Sequence, residues 1–121
     1  MLAPVYIYAA KVISVHDGDT LRVRVDCGFG IESTVWIRME DVFAPELRQA
    51  MGVLCRDNLR ELLPIGAPVV IQTRLLKFDG VTARFAQSFI RYIGVVYSGE
   101  VNINAAMAEF IGTPAGIGAG A

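Results

Sequence analysis

Polar and apolar positions alternate along the first forty residues with the two-residue period of a half-buried strand. In TLRVRVD, residues 20–26, Leu21, Val23 and Val25 share one face with the preceding Asp19, while Arg22, Arg24 and Asp26 share the other. HDGD (16–19) before it and CGFG (27–30) after it are turn signals, and Gly18 is free to take a positive φ. Residues 5–15 and 32–40 read as strands on either side. The pattern predicts a three-strand meander with short connections.

The period then lengthens. Leu47, Met51, Leu54, Cys55, Leu59 and Leu62 recur at helical spacing, Pro45-Glu46 suits a first helical turn, and Pro64-Ile65-Gly66 stops the run. PVVIQTRLL (68–76) is a fourth strand and FIRYIGVVY (89–97) a fifth, with KFDGVTARFAQS between them as a loop. SGE turns the chain into a short helix near 104–111. Three strands, a helix and two more strands predict an α+β, mainly β architecture: a five-stranded OB-type Greek-key barrel with two flanking helices. One domain is expected over residues 1–111, followed by a Gly/Ala-rich tail at 112–121 that lacks core-forming residues.

With 121 residues the chain suits a single core. The hydrophobic share is 54%, enough to fold and leave apolar surface for a partner. No apolar run approaches the roughly 20 residues that cross a bilayer, so no membrane association is expected. MLAPVYIYAA has no basic residue ahead of its apolar stretch and reads as a strand rather than a signal peptide. Cys27 and Cys55 are too few for a disulfide scaffold, and half-buried, reduced thiols in a cytoplasmic setting are expected. A single histidine, His16, argues against histidine-based zinc chemistry. The net charge of −1 lacks the basic excess that phosphate neutralisation favours, so any nucleic-acid contact must rest on a few arginines.

Four charged residues stand where they invite chemistry. Asp19 opens an inward-facing row, and Arg91 begins the row of Ile93 and Val95. Arg38 and Glu46 bracket IRMEDVFAPE (37–46). Cleaving a phosphodiester needs a cation, donors for the phosphate oxygens and a base near the attacking water. Arginine forks pair with phosphate oxygens two at a time, and a carboxylate suits calcium or magnesium. Each residue also has a structural reading: Asp17 and Asp19 as turn residues, Glu46 as a first-turn acid, and the arginines as partners in ordinary ion pairs.

VHDGDTLRV (15–23), IRMEDVFAPE (37–46), IRYIGVVY (90–97) and VNINAAM (101–107), in this order, resemble the staphylococcal nuclease-like (thermonuclease) domains, in particular short single-domain bacterial and phage forms. The resemblance covers about Lys11 to Glu109. It implies a barrel with a calcium-dependent phosphodiesterase site acting on single-stranded or duplex DNA or RNA. Asp19 would be a metal ligand, Arg38 and Arg91 the phosphate arginines, and Glu46 the residue that orients or deprotonates water.

Departures from the family pattern cut against activity. The family's second metal-binding aspartate, just before A-P-E, is replaced by Phe43, which has no lone pair to offer. Calcium takes six to eight oxygens, so the loss leaves a weak site at best. Asp41, two residues earlier, points the same way if the segment is extended, and is the substitute ligand to consider. The polar phosphate holders of the family strand are replaced by Ser88 and Phe89. Two functions follow as expectations: a weak metal-dependent endonuclease, or an inactive nuclease-fold subunit that docks with protein partners in a larger assembly such as a phage particle. A strand-binding module without chemistry is a third.

Overall fold

The computed structural model describes residues 5–73 and 91–112 in full and, between them, the backbone of three short strands. The tail from residue 113, Phe89, Ile90 and the side chain of Ser88 lie outside the described residues. β1 (Tyr6–Asp17) pairs antiparallel with both β2 (Thr20–Asp26) and β4 (Pro68–Thr73), and β2 pairs antiparallel with β3 (Glu32–Met39). β5 (Leu75–Phe78) and β6 (Thr82–Phe85) form a separate hairpin where the sequence suggests a loop. β7 (Gln87–Ser88) and β9 (Val101–Asn102) add to β8 (Arg91–Ser98).

β8 closes the ring. It runs antiparallel to β4 and parallel to β3, which gives a closed five-stranded mixed barrel in the order β1-β2-β3-β8-β4. This is a general OB-like barrel-and-helix architecture. Two register shifts in β1, between Val12 and Ser14 and between Val15 and Asp17, mark where a long strand bends to serve two neighbours.

The alternation of β2 is realised as read: Leu21, Val23 and Val25 are buried, and Arg22, Arg24 and Asp26 are exposed. Leu21, Val23 and Val25 form the barrel core with Val12, Val15, Ile37, Met39, Ile71 and Val96. α1 (Ala50–Leu62) and α2 (Ile103–Ile111) contribute Cys55, Leu59, Ile103 and Met107 to the same core. Asn102 caps α2 by accepting from the Ala105 N–H. The Asn104 side chain accepts from Val96 N–H and donates to the Gly94 and Glu40 carbonyls, which fixes α2 to the barrel. Among the described residues no helix is long and apolar enough to cross a membrane.

The first helix differs from its expected form. It starts at Ala50 rather than at Pro45, and Pro45–Glu46 lie in irregular backbone. Gly52 explains the delay. A Cβ there would collide with the Glu46 carbonyl and lie 2.7 Å from the Pro45 carbonyl oxygen, so the approach chain lies directly against the helix. The buried face accordingly runs through Gly52, Cys55 and Leu59 to Leu63, while Leu54 and Leu62 are exposed. The cysteines also diverge from expectation, since Cys27 is exposed and Cys55 is buried, and neither is in a disulfide.

Candidate functional site

The site is built where the β1–β2 turn meets the segment after β3. Asp17 Oδ1 accepts from the Asp19 N–H at 3.1 Å, an Asx turn that aims Asp19 at the barrel edge. Gly18 lets this turn sit close to its neighbours, because a Cβ there would lie 2.7 Å from Cys55 Cβ and 2.8 Å from Ala44 Cβ. The backbone of Asp19 receives the Met39 N–H at 2.8 Å, and Thr20 stands opposite Arg38 in the ladder. Two segments distant in sequence are thereby held side by side.

Both carboxylate oxygens of Asp19 have protein partners. Oδ1 accepts from Thr20 Oγ1 at 2.9 Å, and Oδ2 accepts from the Ala44 N–H at 3.0 Å. Arg38 Nη2 lies 3.7 Å from Oδ2. Burial pushes the Asp19 carboxyl above the usual aspartate range, and the hydrogen bond and charge of Asp17 push the same way. Thr20 and Arg38 pull it down without reversing the direction.

Arg38 is more constrained still. Its Nη1 donates to the carbonyls of Met39 and Val42 at 2.6 Å each, clasping the turn that follows β3. The Phe43 ring covers the guanidinium, with Cζ 5.5 Å from the ring centroid. Phe43 itself is 74% exposed. Phe43 is a lid on the arginine.

The four predicted side chains do not all take part in this node. Arg91 joins through Thr20, its Nη1 donating to Oγ1 at 3.4 Å, a long bond. Glu46 is exposed and ion-paired with its neighbour Arg48, and its backbone carbonyl accepts from Gln49 N–H. Asp41 is exposed with φ of 59°, in the Met39–Val42 turn. The extended backbone expected to point Asp41 toward the site is therefore not formed.

A calcium ion would need several oxygens converging on Asp19. Among the described residues no group of three or more histidine, cysteine or acidic side chains is placed to hold a metal. Phe43, beside this node, has no lone pair to offer a cation.

Two contributors were not legible in the sequence. Thr20 links Asp19 to Arg91, and the Ala44 N–H fills an acceptor site on Asp19. Trp36 also emerges, opposite Arg22 on one side and Arg91 on the other, with Arg22 Cζ 5.6 Å from its ring centroid and His16 edge-on. Alternation places Trp36 and Arg38 on one face of β3, but only the register shows which arginines flank the ring. Comparison with protein-family models finds no match, and no curated protein matches the chain.

Proposed function

We propose that the chain is a catalytically inactive barrel subunit of nuclease-like design, with a docking role in a larger assembly. The observation that carries this reading is the commitment of the central charges to the fold. Asp19 spends both oxygens on Thr20 and Ala44, and Arg38 spends its fork on two carbonyls and Asp19. Groups occupied in this way brace the segment after β3, and they present few free donors or acceptors to a phosphate. Docking is supported by exposed apolar side chains such as Ile7, Phe29, Ile31, Val70 and Val101.

A second reading, a weak metal-dependent phosphodiesterase on DNA or RNA, is favoured by one observation. Asp19, Arg38 and Arg91 do converge through Thr20. Single-stranded DNA incubated with the purified chain, in calcium and in EDTA, separates the two. Equal lack of cutting is expected. Calcium-dependent cutting that Glu46→Gln reduces by about 10²-fold or more would establish the second reading and refute the first.

A further inference from the structure

The end of the barrel near Tyr8 and Tyr92 holds a pocket of about 290 Å³ that plays no part in the Asp19 node. Its walls include Tyr8 from β1, Val35 from β3, Ile71 from β4 and Tyr92 from β8, with Cys27 and Thr73 also lining it. The space has a simple origin. The other end is filled by large side chains, including Met39, Leu59, Leu63 and Met107, all essentially inaccessible. Here small or β-branched residues occupy positions between two tyrosines, and the described residues do not fill the barrel to its rim.

We infer that this barrel end is a binding pocket for a planar aromatic molecule of about indole size that carries one N–H or O–H donor. Three observations choose that ligand. An apolar cavity of about 150 Å³ admits benzene, so a pocket of 290 Å³ has room for a fused two-ring system. The walls are mainly apolar and include two tyrosine rings, which suit a flat partner. Thr73 Oγ1 is buried with no hydrogen-bond partner among the described residues, and an unmatched hydroxyl in an apolar wall is an acceptor awaiting a donor. Ligand pockets commonly combine such apolar walls with one or two orienting polar groups.

The inference uses neither Asp19 nor Arg38, so it stands or falls separately from the proposed function. Indole is the probe, titrated into the full chain and followed by methyl and ring resonances in solution. Saturable binding with Kd between about 10 μM and 1 mM is expected for a ligand of this size. Shifts should concentrate at Val35, Ile71, Tyr8 and Tyr92 and leave Met39 and Met107 unmoved. Val35→Phe fills the pocket and should weaken indole at least tenfold, by roughly the loss of the ring's contacts. Thr73→Val should weaken indole about two- to tenfold, as for one lost hydrogen bond, and leave naphthalene unchanged. The resonance map keeps the test decisive if Val35→Phe fails to fold. Absence of saturation up to the solubility of indole, shifts confined to other residues, or binding of octanoate but not indole would each overturn the inference.

Discussion

Replacing Arg38 by methionine removes the fork while keeping much of the side chain's bulk. Besides the contact with the Phe43 ring, three polar interactions disappear together: the bonds from Nη1 to the Met39 and Val42 carbonyls, both 2.6 Å, and the 3.7 Å approach of Nη2 to Asp19. The two side chains are 19% and 11% exposed, so solvent only partly replaces what is lost. A hydrogen bond to a charged group contributes about 1.5–3 kcal/mol, and stripping one partner from a buried pair costs about 3–5 kcal/mol. The terms overlap, because the same guanidinium supplies all of them, and a total near 3–5 kcal/mol is expected. Set against the 5–15 kcal/mol of a typical domain, that is a large fraction. For a chain of this length it corresponds to a fall in Tm of roughly 10–20 °C. Arg91→Met, which among the described residues removes a 3.4 Å contact to Thr20, should cost about 1 kcal/mol or less. Urea unfolding of both variants beside the parent chain measures the difference. A fork held in reserve for a ligand would behave in the opposite way, since functional charges often cost stability. If Arg38→Met unfolds within about 1 kcal/mol of the parent, the brace described for the segment after β3 is refuted.

Three further outcomes follow from the same geometry. Gly52→Ala should destabilise by about 3 kcal/mol or more, since its Cβ meets the Glu46 carbonyl; calorimetry showing an unchanged Tm would contradict the close approach. The folded chain holds the Asp19 proton more tightly than the unfolded chain, so this residue's contribution to stability is greatest below the ordinary aspartate value. It should fall as pH rises through the raised one. Denaturation of the parent and of Asp19→Asn across that window should show the parent losing ground with rising pH, and a gain would reverse the assigned sign. Phe43→Ala should expose the Arg38 guanidinium at a cost of about 0.5–1 kcal/mol, the scale of an exposed cation–π contact, and a loss above about 3 kcal/mol would show that Phe43 packs more deeply than its exposure indicates.

The barrel was legible because its strands carry their own signal. TLRVRVD alternates so cleanly that its buried and exposed faces can be assigned before any partner strand is known, and the turn residues on both sides limit its ends. The parallel closure between β3 and β8 leaves no such local trace, since it depends on pairing residues such as Arg38 and Ile93 that lie far apart in sequence. The start of α1 was misplaced for a related reason. Proline and glutamate at 45–46 satisfy helix-start preferences, but the contact of their backbone with Gly52 overrides them. At the site, the resemblance implied that Asp19, Arg38, Arg91 and Glu46 would meet, and the first three lie together around Thr20. The resemblance did not show that Thr20 and the Ala44 N–H would occupy Asp19, or that Glu46 would turn outward to Arg48. Hydrogen-bond partners of this kind are set by turns a few residues long, and the left-handed backbone at Asp41 is one that a non-glycine residue seldom adopts.

The direct test is a high-resolution crystal structure grown at millimolar calcium, read at the oxygens of Asp19. Oδ1 is expected to stay with Thr20 and Oδ2 with the Ala44 N–H and Arg38, with no ion bound to either. A calcium ion on Asp19 with several further oxygens at about 2.3–2.6 Å would contradict this.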